Sequence, residues 1–234
     1  NTSKGKKTHL FSKFIKNFTN LENNSQSSLS ITTQDSNNDK YFKLYNVNSE
    51  LANPDIDNLT NAINFTHAND DIFFGLNASM YETLKNGYND KYEYIFPELV
   101  FNKNLLSSST FGLIDYDVNL KVHNYDTNKT SKFFVNNFEW NSINKNFETG
   151  FQTQLLSNVK NINYETKNLE EYKNDPTSEL FGAFGLLSKI EFYKRIENIS
   201  EHFLTPKILL RYAPGEMRKD NSDTKLNTLK AFNV

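Results

Sequence analysis

Asp115 and Asp117 stand two residues apart within 111–124, a spacing that puts two carboxylates on one side of a β-strand. Paired carboxylates can do acid–base or glycosidase chemistry, but only where one of them is desolvated enough to hold its proton. Asn119, Lys121 and His123 follow on the same side, so the two acids read as members of a solvated strand face. The four histidines, His9, His67, His123 and His202, are scattered without ligand spacing. Cysteine is absent, which removes thiolate metal sites, cysteine nucleophiles and disulfides from this stretch. Gly182-Ala183-Phe184-Gly185 has no lysine or helix start behind it and is not a phosphate loop. Glycines there suit a strand that bends or packs closely. The expectation is a chain without catalytic residues, metal or cofactor.

The elements that must position these residues show best in 111–124. Gly112, Ile114, Tyr116, Val118, Leu120 and Val122 alternate with Asp115, Asp117, Asn119, Lys121 and His123. Asp126-Thr127-Asn128-Lys129 then carries turn chemistry. Residues 132–141 form a less regular run, with Phe134, Phe138 and Trp140 on one side and Phe133 and Val135 on the other. Alternation resumes from Phe147, where Phe151, Thr153, Leu155 and Val159 oppose Gln152, Gln154, Asn158 and Lys160. After a polar loop at 165–178, Leu180, Gly182, Phe184, Leu186, Ile190 and Phe192 share a side. A last strand is expected at 204–212, with Lys207 and Arg211 facing away from Ile208 and Leu210. Pro206 removes one ladder hydrogen bond there and should mark a weak point or an edge. In the first hundred residues the strand candidates are 10–18, 28–33, 41–47, 59–66, 71–84 and 94–101. The total comes to about ten or eleven strands in sequential hairpins.

Composition limits the rest. Among 234 residues, 26 Lys and Arg face 28 Asp and Glu, a formal net charge of −2 that gives no general attraction to nucleic acid or anionic membranes. Mean hydropathy is −0.68, yet 20 Phe and 12 Tyr bring aromatics to 14%, more than a disordered chain needs. A polar average with many aromatics is what alternating strands produce. No apolar run is long enough for a transmembrane helix, which leaves soluble β-structure or a membrane β-barrel. Neither end carries a signal peptide or a closing element, so the chain is expected to be a piece of a longer one. Soluble strands average about five or six residues, whereas several runs here reach lengths suited to crossing a bilayer at a tilt. Aromatics near strand ends (Tyr116, Trp140, Tyr193, Tyr212), and a long loop at 165–178 against short turns near Asn144 and Asn198, point the same way.

Three groups of strings carry a family resemblance. They are Ser36-Asn37-Asn38-Asp39-Lys40-Tyr41-Phe42-Lys43-Leu44-Tyr45; Tyr81-Glu82-Thr83-Leu84 with Tyr92-Glu93-Tyr94-Ile95-Phe96-Pro97-Glu98-Leu99; and Leu204-Thr205-Pro206-Lys207 with Arg211-Tyr212-Ala213-Pro214. In order and spacing, from about residue 5 to the end, they resemble the barrel of the LPS-assembly outer-membrane protein family LptD, also called organic solvent tolerance protein. The resemblance implies an outer-membrane barrel assembled with a plug lipoprotein. It would receive lipopolysaccharide from a periplasmic bridge, through a preceding jellyroll outside this chain, and pass it to the outer leaflet. Cysteines that join the two domains in better-known members have no counterpart here. No position can be carried over as a gate residue.

The expected fold is therefore all-β, an antiparallel up-and-down transmembrane β-barrel represented in part, with 1–234 as one barrel domain of the Gram-negative cell outer membrane. Asp115, Asp117, Asn119, Lys121, Gln152, Gln154, Lys207 and Arg211 are expected to face a hydrated lumen. The expected partners are lipopolysaccharide, the plug lipoprotein, the periplasmic bridge and membrane lipid, with no nucleic acid and no enzymatic step. A soluble or surface β-domain that binds polysaccharide, and a porin or receptor barrel for another solute, share much of this pattern.

Overall fold

The computed structural model describes residues 8–38, 40–46, 48–49, 51, 55–85, 91–125, 128–170, 172–196 and 200–214. The chain is all-β, with one short helical turn. In order, the elements are β1 (His9–Asn20), β2 (Ser25–Ser36), α1 (Tyr41–Tyr45), β3 (Asn58–Ala68), β4 (Ile72–Thr83), β5 (Tyr92–Ser108), β6 (Gly112–Tyr125), β7 (Lys129–Asn141), β8 (Lys145–Asn146), β9 (Phe151–Lys167), β10 (Thr177–Ile190), β11 (Phe192–Ile196), β12 (Ser200–Leu204) and β13 (Lys207–Tyr212). The main sheet is antiparallel and up-and-down, in the order β1-β2-β3-β4-β5-β6-β7-β9-β10-β13, with β8 attached to β9. Among the described residues β1 and β13 are its two ends and do not pair with each other. By contacts the chain forms two compact units, one of 1–102, 118–134 and 163–177 and the other of 103–117, 135–162 and 178–234.

Several strands are long: β5 and β9 have 17 residues each and β6 has 14. Residues 10–18, 59–66, 71–84 and 111–124 all fall in strands close to the expected limits. The 41–47 stretch does not. Its Tyr41–Tyr45 part forms α1, where the Leu44 amide donates to the Lys40 carbonyl and Asn46 closes the turn in the left-handed region at φ 48°. Tyr41, Phe42 and Tyr45 stand one, three and four residues apart, spacings of a helical turn rather than of a strand, and Val47 lies outside the described residues.

Three other boundaries also move. β5 continues past Phe101 through Asn102 and Asn104, which alternate with larger residues much as Asp115 and Asp117 do in β6. β9 begins at Phe151, because 147–150 closes into a turn in which Gly150 (φ 79°) donates to the Phe147 carbonyl. The 204–212 run is split, since β12 ends at Leu204 and β13 starts at Lys207. Pro206 lies in that break. Its carbonyl accepts from the Ile190 amide, and it has no N–H to return the bond. The loop after β9 is 168–176, shorter than 165–178, because β9 runs on to Lys167.

Buried apolar side chains are few. Among the described residues they are Phe42, Leu59, Leu84, Tyr164 and Ala183. Phe42, Leu59 and Leu84 form a cluster flanked by Phe11 and Ile56. Most other large apolar residues lie open on the sheet, for example Phe134 at 41%, Leu155 at 50% and Leu180 at 73% of full exposure.

Candidate functional site

Strand alternation and cross-strand bonds sort these side chains into two faces. In the unit that contains β1–β4, the registers Ser30↔Asn64 and Asn64↔Asn77 put Ser28, Ser30 and Thr32 of β2, Thr60, Asn64 and Thr66 of β3, and Asn77 and Ser79 of β4 on one side. Asn77 Nδ2 donates to Glu98 Oε2 at 2.8 Å, and Lys121 Nζ meets Glu98 Oε1 at 3.4 Å. Two residues along β6, His123 Nε2 lies 2.6 Å from Glu93 Oε1, and its ring stacks on Tyr125 at 4.3 Å. Glu93 and Glu98 differ in parity, yet both meet odd-numbered residues of β6. β5 therefore shifts by one position between them, the signature of a bulge. On the opposite side of β2, β3 and β4 are Leu29 and Ile31, Ile63 and Phe65, and Phe74 and Leu76, paired as Leu29↔Phe65, Ile31↔Ile63 and Phe65↔Leu76.

The second unit repeats the division. Asn104 Nδ2 donates to Asp115 Oδ1 at 2.9 Å. Asn137 Nδ2 donates to Asp117 Oδ2 at 3.2 Å, and its own oxygen accepts from Asn158 Nδ2 at 2.8 Å. Gln154, which has the parity of Asn158, donates to the Ser142 carbonyl at 2.9 Å, and Gln152 stands opposite Asn146 of β8. Lys207 pairs in register with Lys189, and Arg211 with Gly185. A Cβ at Gly185 would lie 3.3 Å from Leu209 Cδ1 and 3.5 Å from Leu156 Cβ, so glycine there accommodates close packing. Leu156 has the parity of Gln152, Gln154 and Asn158.

Strand parity thus assigns Asp115, Asp117, Asn119 and Lys121 to one face of β6, and Gln152, Gln154, Lys207 and Arg211 to the matching faces of β9 and β13. Direct bonds join few of them. Asp115 and Asp117 have separate asparagine partners, Lys121 turns to Glu98, Asn119 is exposed, and Lys207 and Arg211 lie on an exposed strand. Asn158 falls on the side that alternation gave it, whereas the partners Asn77, Glu93, Glu98, Asn104 and Asn137 went unread in the sequence. Nor is this face polar throughout, since Leu156, Ala183, Leu187 and Leu209 gather on it near β10 and β13.

The apolar face has polar exceptions, among them the Lys132–Glu165 ion pair at 2.9 Å and the Ser27–His67 bond at 2.8 Å. Tyr116 Oη donates to Asn136 Oδ1 at 2.9 Å, Asn136 Nδ2 to Asn161 Oδ1 at 3.4 Å, and Asn161 Nδ2 to Ser178 Oγ at 3.2 Å. This chain of bonds crosses β6, β7, β9 and β10 between Phe134, Phe138 and Leu155 and satisfies its polar groups side to side. Chemically, the polar face offers hydrogen bonds and balanced charge to hydrated groups. Asp115 and Asp117 each accept a hydrogen bond from an asparagine amide on a partly open face. Among the described residues no group of three or more His, Cys, Asp or Glu side chains is placed to hold a metal ion. No protein-family model matches the chain, and no curated protein matches it.

Proposed function

We propose that this chain is part of the wall of an outer-membrane β-barrel, and that the barrel moves lipopolysaccharide to the outer leaflet. The observation that carries the reading is the two-faced sheet. One side of the ten-stranded path bears mostly half-exposed Phe, Leu, Ile and Val, interrupted by the Tyr116–Asn136–Asn161–Ser178 chain and the Lys132–Glu165 ion pair, and the other bears bonded Asn, Asp, Glu and Lys beside a patch of leucines. A soluble sheet of this length would bury one face under a second layer, and a lipid-facing wall needs none. Strands of 14 to 17 residues exceed the roughly 9–11 needed to span a bilayer at a tilt near 45°.

The choice of cargo rests on the LptD resemblance of the strings around Tyr41, Tyr92 and Pro206. In the proposed mechanism, the charged sugar head of the lipid travels along the face of Asp115, Asp117, Asn119, Lys121, Gln152, Gln154, Lys207 and Arg211. The acyl chains remain in apolar surroundings. A plug lipoprotein and a periplasmic bridge are the partners that this route requires.

Photocrosslinking tests the proposal. A photoreactive residue at Asn119 in the full-length protein should form adducts with lipopolysaccharide in living cells, while one at Phe138 should label phospholipid. Adducts with neither lipid would refute the reading. Phospholipid labelling at Phe138, without lipopolysaccharide at Asn119, would leave a barrel for another solute.

A further inference from the structure

After β9, the described residues Asn168, Tyr172 and Lys173 reach back to β7, β9 and Asn128. Tyr172 stands edge-on to Phe133 (5.3 Å, 74°) and to Tyr164 (5.8 Å, 68°), and those two rings stack at 5.8 Å. The Thr166 hydroxyl, on a residue only 2% exposed, donates to the Lys173 carbonyl at 3.0 Å. Asn168 Nδ2 donates to the Asn128 carbonyl at 2.9 Å, which ties the loop to the β6–β7 turn. Phe133 has the parity of Asn137, and Tyr164 and Thr166 have the parity of Asn158, so all three anchors lie on the polar face. Of the described residues between β2 and β3, Phe42 and Leu51 also reach side chains of this face, and Phe42 and Ile56 cluster as well with Leu59, which has the parity of Ile63. Phe42 packs on Phe11 at 5.3 Å, and Gln34, in register with Phe11, donates to the Leu51 carbonyl.

We propose that the segment of Asn168, Tyr172 and Lys173 is a strap fixed on the polar face, where it narrows the route along that face and sets the size of hydrated solute that can pass. The inference rests on the proposed reading of the polar face as the wet wall of a barrel, and goes beyond it by assigning a selectivity element. Three rings and two side chain–backbone bonds hold the strap, so its position is set by packing as well as by chain connectivity. Releasing Tyr172 should leave the strands intact, because Phe133 and Tyr164 still stack on each other.

The test is osmotic swelling of liposomes that contain the full-length protein, with neutral sugars from mono- to tetrasaccharide as probes. Tyr172→Ala combined with Thr166→Val should raise the entry of tri- and tetrasaccharides several-fold and leave monosaccharide entry little changed. Asn168→Ala, which removes a single exposed bond, should give a smaller rise in the same direction and serves if the double variant fails to fold. Tyr172→Phe keeps the ring and should match the parent. Unchanged sugar entry in a folded double variant or in Asn168→Ala, or a Tyr172→Phe variant that behaves like the double one, would overturn the strap. A bimane label at Phe138→Cys in the same liposomes separates the two failures: a label in water overturns the barrel, and a label in lipid with unchanged entry overturns the strap alone.

Discussion

Replacing Val118 with Arg is the substitution on which a lipid-facing wall and a water-facing sheet differ most. β6 has 14 residues, about 48 Å of strand at roughly 3.4 Å per residue. At a tilt near 45° that spans about 34 Å, enough to cross an apolar band about 25 Å tall. Val118 is six positions beyond Gly112, which puts it about 14 Å up the tilted strand, near the middle of the band. An Arg on the lipid face at that depth costs about 2–4 kcal/mol. At about 1.4 kcal/mol per tenfold, the equilibrium constant for folding into lipid should fall roughly 30- to 700-fold. On a half-exposed face in water, the same change stays within about 0.5 kcal/mol. Asn119→Arg, one residue away on the polar face, is the internal control and should cost little in either case. Trp140 is the single tryptophan and reports urea-driven folding into vesicles by its fluorescence. Equal midpoints for Val118→Arg and Asn119→Arg would refute the assignment of faces.

Four further outcomes follow from the geometry. Gly112 has φ 92°, and a Cβ there would lie 2.0 Å from the Asn141 carbonyl oxygen, so Gly112→Ala should abolish the heat-modifiable folded band on a gel. Gly150, at φ 79° with open space around it, should tolerate Ala at a cost of about 1 kcal/mol in the same urea titration. Phe42→Ala removes the centre of the small buried cluster; it should cost about 3–5 kcal/mol locally, seen as faster proteolysis of 37–57 with the sheet retained. Tyr116→Phe breaks the first bond of the polar chain on the apolar face and should lower stability by about 0.5–1.5 kcal/mol.

How much could be read in advance depended on whether a residue's partner was local. β6 was legible because strict alternation over Ile114 to Val122 leaves one strand solution, and the face it assigned to Asp115, Asp117 and Lys121 is the face on which their bonds form. α1 was misread because five residues are too few for periodicity to separate a helical turn from a strand, although Tyr41, Phe42 and Tyr45 keep helical spacing. Pro206 was legible as a weak point, since a missing N–H acts wherever the chain goes. The break that it makes between β12 and β13 was hidden by apolar residues on both sides. The polar chain Tyr116–Asn136–Asn161–Ser178 and the Phe133–Tyr172 contact join residues far apart in sequence, and the strand register brings them together.

Spin labels at single cysteines along 114–122 of β6 test the central claim most directly, and the native chain offers no competing thiol. In liposomes, collision with oxygen should peak at 114, 116, 118, 120 and 122, and collision with a water-soluble nickel complex at 115, 117, 119 and 121. High nickel accessibility at the even positions, or no two-residue period at all, would contradict the lipid-facing wall.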